Sequence, residues 1–278
     1  MSQHLTIEQV DENAEAIRSH IQVEPRVGII LGSGLGPLAD SVENASYIPY
    51  EELPSWPVST VFGHQGRLVI GALEQVNVMV MQGRSHFYEG YDITQIGLPV
   101  RVMQRLGVQI LIVTNAAGAV NPAYNPGDLM LISDHLNLIG MAGNSPLRGP
   151  NLDEFGPRFP DMSQAYDPAL RELARQVAAE NRITLHEGIY VCLAGPSFET
   201  PADLRFLRLI GADGVGMSTV PEVTVARHGN LQVLGISGIS NKANLDGNTT
   251  TTHEEVLEAG KMIVPKLATL IRGVLCRV

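Results

Sequence analysis

The stretch from Leu193 to Glu222, LAGPSFETPADLRFLRLIGADGVGMSTVPE, limits the choice of fold most sharply, because two strand-to-helix junctions follow one another within it. The apolar run Ile189 to Leu193 meets Gly195-Pro196, and Glu199 stands just ahead of Thr200-Pro201. Thr200 is a helix cap, Pro201 suits the first helical position, and Asp203 follows three residues after the cap. A second apolar segment, Gly214 to Met217, runs into Ser218-Thr219-Val220-Pro221-Glu222, where Thr219 and Glu222 have capping-box spacing. Junctions of this kind, at the carboxyl ends of strands in α/β proteins, are where ligands bind. Each polar residue has two readings: Glu199 complements the helix dipole or binds a ligand, and Ser218 caps or helps hold an anion. Glu222 reads as a cap partner rather than a catalyst.

The rest of the chain alternates strands with helices. After an amphipathic segment within residues 1–24, Val27 to Leu31 reads as a buried strand ending in Gly32-Ser33-Gly34-Leu35-Gly36-Pro37. Pro37 breaks the dinucleotide fingerprint, and no Gly-Lys-Ser/Thr follows, but the turn still offers N–H groups and the Ser33 hydroxyl to a single phosphate. Tyr47 to Gln65 is proline-containing and reads as loop, ending in Phe62-Gly63-His64. Strands at Arg67 to Ala72 and Val76 to Gln82 follow, and the second delivers Gly83-Arg84-Ser85-His86-Phe87-Tyr88-Glu89. In an extended segment Arg84 and His86 share one side, which makes an anion clamp whose imidazole Glu89 orients and charges.

A helix is expected at Thr94 to Leu106, then an apolar strand at Gln109 to Thr114 running into Asn115-Ala116-Ala117-Gly118-Ala119, where small side chains admit a ligand to the backbone. Further strands are expected at Leu129 to Ser133, Glu187 to Leu193 and Leu231 to Ile239, the last ending at Ser240-Asn241-Lys242. Gly140 to Asp167 is a long proline-rich loop, and Asp167-Pro168 opens a helix to about Asn181. Asn244 to Thr252 is polar and is expected to be mobile. Thr252 and Glu255 cap a terminal helix from His253 to about Leu275. This is the pattern of a single, largely parallel α/β fold.

Composition removes several function classes. The net charge of −10, with no Lys/Arg run, argues against a nucleic-acid surface. Cys192 and Cys276 are too few for a disulfide framework and lack zinc spacing. No apolar stretch reaches membrane length and the start has no signal-peptide core, so a cytoplasmic location is expected. Only 17% of the residues are charged, which favours burying surface in an oligomer.

GPSFET followed by GMSTVPE resembles the motif pair of the trimeric purine nucleoside phosphorylases, and the likeness runs from about Val27 to Leu275. It implies one domain over residues 1–278 with a purine/uridine phosphorylase-like α/β fold, a mixed, partly closed sheet flanked by helices. The residues matching the family's phosphate site are Ser33, Arg84, His86, the backbone of Ala116 and Ser218, with His64 on a nearby gate loop. Tyr88, Met217 and His253 match the ribose site, His253 reaching the 5′-hydroxyl, with Tyr190 adjacent. Glu199 and Asn241 match the purine-binding pair, Phe198 the aromatic on the purine face, and Phe159 a residue lent by the neighbouring subunit of a homotrimer.

The implied reaction is phosphorolysis of 6-oxopurine (deoxy)ribonucleosides, inosine and guanosine, to free base and (deoxy)ribose 1-phosphate, as in purine salvage. Asn241, Glu199 and His86 carry it, with inorganic phosphate as co-substrate and no cofactor or metal required. The chain departs from the family pattern where Ser240 replaces the usual threonine and Ser85 an aromatic or bulky residue. A methylthioadenosine phosphorylase of the same fold has serine and aspartate where Glu199 and Asn241 stand. A nucleotide-binding oxidoreductase would use the Gly32 to Gly36 turn with Glu51 or Glu52, but these lie in proline-rich sequence rather than at a strand end. A non-catalytic nucleoside-binding protein has no need of the second, anion-binding set.

Overall fold

The computed structural model describes residues 4–61, 63–244, 246–248 and 252–278. Along the chain the elements are α1 (Ile7–Arg18), β1 (Val27–Ile30), β2 (Glu43–Pro49), β3 (Arg67–Leu73), β4 (Val76–Gln82), α2 (Ile93–Arg105), β5 (Ile110–Ala119), β6 (Leu129–Asn137), α3 (Leu138–Met141), α4 (Pro168–Glu180), β7 (Leu185–Cys192), α5 (Pro201–Leu209), β8 (Gly214–Gly216), α6 (Val220–His228), β9 (Gln232–Lys242) and α7 (His253–Leu275). The strands form one sheet in the order β2-β3-β4-β1-β5-β8-β7-β6-β9, and a further β5–β9 pairing curls part of it into a ring.

Strand length explains the closure. β1 pairs with β5 only from Ile110 to Val113, whereas β5 continues to Ala119. The edge that β1 leaves free is taken by β8, through Gly118 opposite Val215 and Ala119 opposite Gly214. Along its other edge β5 runs parallel to β9 over its whole length. β6 and β7 complete the circuit, β7 parallel to both β6 and β8, and β6 antiparallel to β9. The mixed, partly closed sheet implied by the resemblance is therefore present.

Alternation along the strands sets the layers. Ile30, Leu111 and Val113 point to one core shared with α1, α2 and α6, through residues such as Val10, Met103 and Val223. Ile29, Ile110 and Ile112 point to a second core with α4 and α7, through Val177, Leu267 and Ile271. Each such aliphatic side chain, fully buried, contributes about 1.5–3 kcal/mol. Two glycines bring the functional turn into place. A Cβ at Gly32 would lie 2.7 Å from the Cα of Asn115, and one at Gly260 would lie 2.9 Å from the carbonyl oxygen of Gly34, so β5 and α7 close on the turn after β1 from two sides.

The helix starts follow their caps. Thr200 accepts from the Asp203 N–H, Asp167 from those of Ala169 and Leu170, and Thr252 from that of Glu255. Three expectations are corrected. Glu43–Pro49 is a strand, although the residues from Tyr47 read as loop. It pairs with β3 alone at the sheet edge, has a register break between Glu43 and Ser46, and buries only Ile48, so it shows no alternating signal. β5, β6 and β9 run on past their apolar stretches, because pairing rather than side-chain type holds Asn115–Ala119, Asp134–Asn137 and Ser240–Lys242 extended. The capping box at Thr219 does not form: its φ of 76° turns the hydroxyl away from the helix. Of the Asn244 to Thr252 segment, Leu245 and residues 249–251 lie outside the described residues, as does Phe62 in the His64 loop.

Candidate active site

At the carboxyl ends of β1, β5, β8 and β9 lies a cavity of about 550 Å³. Its wall gathers Ser33 from the turn after β1, His86 and Tyr88 from the segment after β4, and Ala116 from the extended end of β5. Phe198 and Glu199 join from the start of α5, Met217 and Ser218 from the end of β8, Asn241 from β9 and His253 from α7. Loops that are remote in sequence meet because ring closure brings β8 and β9 to opposite edges of β5.

One end of the cavity rests on a connected set of buried and half-buried polar groups. The His86 ring places Nδ1 3.0 Å from a Glu89 carboxylate oxygen, which also accepts from the His86 N–H at 2.7 Å. Burial raises the Glu89 carboxyl, but bonds from the His86 ring, from the Thr60 N–H and hydroxyl, and from the His86 N–H outweigh it and hold the group at about 2. Glu89 is thus a fixed anion that keeps a proton on Nδ1 of His86. Behind this ring lies His64, with ring centroids 5.5 Å apart, and Tyr88 stacks on His86 at 4.8 Å. Burial, then the charges of His86 and Arg84, push His64 down to about 4. Its Nδ1 lies 2.8 Å from the Arg84 carbonyl, an obligate acceptor, so a neutral ring donates there and receives the Ser33 hydroxyl at Nε2, 3.1 Å away.

The base of the same region is Arg84. Its Nη1 donates to the hydroxyls of Ser218 (3.2 Å) and Thr219 (3.1 Å), and its Nη2 to the carbonyls of Ile30 (3.2 Å) and Thr114. Nε faces a Glu222 carboxylate oxygen at 3.4 Å. Thr219 also accepts from the Asn115 amide at 2.9 Å, which is where its unusual φ directs the hydroxyl.

The other end is more sparsely built. Burial raises the Glu199 carboxyl above its ordinary range, opposed by a backbone hydrogen bond and reinforced by Asp203. The Ser240 hydroxyl lies 2.8 Å from Oδ1 of Asn241 and 3.2 Å from the Ala117 carbonyl. The Asn241 amide nitrogen points the other way, toward the Lys242 carbonyl at 3.4 Å.

The sequence profile of the Phosphorylase superfamily matches residues 26–275. The chain belongs to that superfamily. It is 49% identical over 270 residues to purine nucleoside phosphorylase 1 of Bacillus subtilis (strain 168), covering 97% of this chain and 98% of that protein. With the purine nucleoside phosphorylase of Bos taurus it shares 50% identity, over 96% of this chain and 94% of that one. Among solved structures it resembles Schistosoma mansoni purine nucleoside phosphorylase in complex with inosine, with a TM-score of 0.95 and 42% identity over 100% of this chain and 99% of that one. Schistosoma mansoni purine nucleoside phosphorylase in complex with adenosine gives a TM-score of 0.95 at 43% identity, over 99% of both chains.

Four residues singled out in this phosphorylase do not line the cavity. Arg84 was expected to point into it beside His86, but its guanidinium is only 1% exposed, drawn inward by the Ile30 and Thr114 carbonyls and by Glu222. His64 stands behind Ser33 and His86. Tyr190 is fully buried on β7 and backs β8, where a Cβ on Gly216 would come within 2.4 Å of its hydroxyl. Phe159 lies in the proline-rich loop, away from the cavity and 89% exposed.

Sequence reasoning missed the apolar lining, Val61, Leu204, Val215, Ala243 and Val256, since such residues look like any others of the core. It also missed Glu222, whose capping-box spacing pointed to a different role. Among the described residues, no cluster of His, Cys, Asp and Glu is arranged to hold a metal ion, and no helix is long and apolar enough to cross a membrane.

Proposed function

We propose that this phosphorylase cleaves 6-oxopurine nucleosides, inosine and guanosine and their deoxy forms, with inorganic phosphate, releasing the base and (deoxy)ribose 1-phosphate. The observation that carries this reading is that one cavity holds both an anion-binding set, Ser33, His86, Ala116 and Ser218, and a carboxylate–amide pair, Glu199 and Asn241. Phosphate held by the first set attacks C1′ while the N9–C1′ bond breaks, through a transition state like the oxocarbenium ion of glycoside hydrolysis. Electrons from that bond flow into the purine, and the Asn241 amide donates to the charge that develops there. A preorganised donor of this kind is worth about 3–4 kcal/mol. Glu199 accepts the N1–H of hypoxanthine or guanine and, in guanine, the 2-amino group as well. His86, oriented by Glu89, offers its other ring nitrogen to the incoming phosphate.

Adenine offers no proton at N1, so it would face Glu199 acceptor to acceptor. Crystal structures of Schistosoma mansoni purine nucleoside phosphorylase exist in complex with adenosine and in complex with inosine, so discrimination in this chain is to be sought in turnover rather than in occupancy. Methylthioadenosine is a poorer fit for the same hydrogen-bond reason.

The assay is release of hypoxanthine from inosine with and without phosphate. The expected outcome is strict phosphate dependence and little turnover of adenosine, and equal release in phosphate-free buffer would overturn the reading.

The assembly is read as a homotrimer in which each active site is completed by a neighbour's Phe159. What supports it is a large aromatic left exposed on a proline-rich loop. Sedimentation at assay concentration checks this, with a fully active monomer as the contrary result. No cofactor is needed, and the free thiols of Cys192 and Cys276 suit a reducing compartment, the cytoplasm.

A further inference from the structure

We infer that Glu222 is a positioning residue that serves as the resident counter-ion of Arg84, holding the guanidinium in place when no phosphate is bound and competing with phosphate for its charge. This rests on the phosphate reading of the cavity and goes beyond it, because Glu222 does not line the cavity.

A guanidinium has five N–H donors. Four of those on Arg84 go to Ser218, Thr219, Ile30 and Thr114, which are neutral. The fifth, on Nε, faces Glu222 at 3.4 Å without forming a hydrogen bond, and the second carboxylate oxygen of Glu222 has no hydrogen-bond partner. Among the described residues Glu222 is the one carboxylate within ion-pair distance of Arg84, and the side chains of the two are 4% and 1% exposed. Glu222 therefore acts through its charge, since a buried cation without a counter-charge is strongly unfavourable.

The backbone arranges the two anion positions on either side of the cation. The left-handed turn at Thr219 sends Ser218 to the cavity wall and Glu222, in the first turn of α6, to the interior. Arg84 touches both. An anion beside Ser218 and the carboxylate of Glu222 thus share one positive charge from opposite sides, and each weakens the hold of the other.

The test compares wild type, E222Q and E222D by steady-state kinetics and by thermal melting, from zero to saturating phosphate. E222Q keeps the shape and removes the charge, so phosphate becomes the main counter-ion of Arg84. Its phosphate KM is expected to fall about fivefold or more with the inosine KM within about twofold of wild type, and E222D to return the phosphate KM toward the wild-type value. In phosphate-free buffer E222Q should melt below wild type, and phosphate should raise its melting temperature by more. A phosphate KM in E222Q that is unchanged or higher overturns the inference, as does an E222Q protein that stays unfolded even in saturating phosphate. If wild type releases no base in a phosphate-dependent manner, the functional reading fails instead, and the melting series still tests the Arg84–Glu222 relation because it reads phosphate binding without turnover.

Discussion

The two ends of the cavity are built on different principles. Around Arg84 and His86 the side chains are linked, from Glu89 through His86 and His64 to Ser33, and from Glu222 through Arg84 to Ser218, Thr219 and Asn115, and Arg84, His86, Asn115, Thr219 and Glu222 among them are buried. Around Glu199 and Asn241 the side chains are half-buried, Phe198 is 46% exposed, and the Asn241 amide meets only the Ser240 hydroxyl and the Lys242 carbonyl among the described residues. A small, invariant dianion rewards donors fixed in advance, because they need no rearrangement when it arrives. A purine ring is recognised by the placement of a few protons, so one carboxylate and one amide suffice provided they point the right way.

This contrast predicts where substitutions hurt. The largest effect belongs to Arg84→Ala, which leaves Glu222 buried without its counter-charge. It is expected to cost about 3–5 kcal/mol of stability and to raise the phosphate KM more than the inosine KM. Denaturant melts with kinetics on the surviving protein measure both, and equal rises in the two KM values would erase the division between the ends.

Glu199→Gln comes next. It is expected to remove most activity on guanosine and leave the phosphate KM within about twofold, a loss on the scale of one transition-state contact, about 3–4 kcal/mol. The same substitution has a pH signature. Because burial raises Glu199, the folded chain holds this proton to higher pH than the unfolded chain does. Its contribution to stability is therefore greatest at acid pH and is lost as pH rises from the unfolded value through the raised one. Above that window Glu199→Gln should melt slightly higher than wild type, and at the acid end it should lack the fall in guanosine kcat/KM that protonation of Glu199 produces. Parallel melting curves and pH profiles of the two proteins decide it.

The smallest effect is expected for Ser240→Ala, which frees the Asn241 amide to turn. One neutral hydrogen bond is worth about 0.5–1.5 kcal/mol, so the inosine-to-adenosine ratio of kcat/KM should fall by roughly twofold to tenfold, with Ser240→Thr restoring it. An unchanged ratio would mean that something other than the serine orients the amide.

Much of this was legible in the sequence where local chemistry has a single answer. Thr200-Pro201, Asp167-Pro168 and Thr252 open helices where their caps predict, and buried β1 and β5 were visible as runs of Val, Ile and Leu. Ser33, His86, Ser218, Glu199 and Asn241 were picked out at strand ends and do meet in one cavity. What escaped depended on partners distant in the chain. β2 exists because β3 offers it an edge, and the inward turn of Arg84 depends on carbonyls of β1 and β5. Glu222 has the spacing of a cap residue, and only the φ of Thr219, which no residue pattern announced, frees it for Arg84.

The ring of strands also sets when in the life of the chain a binding site can exist. β5 and β9 pair from Ile110 opposite Gln232 to Ala119 opposite Lys242, so closure joins segments separated by most of the second half of the sequence. Such distant pairings form slowly, because the intervening loop must be closed before the contact repays it. The strands from β2 to β5 are neighbours in the sheet and emerge early in synthesis, but a nascent chain that stops short of Gln232 lacks both the wall that carries Asn241 and the helix that carries His253. Amino-terminal fragments of this protein would therefore be unable to hold a nucleoside however well they fold, and ligand can stabilise only chains whose synthesis has run nearly to completion.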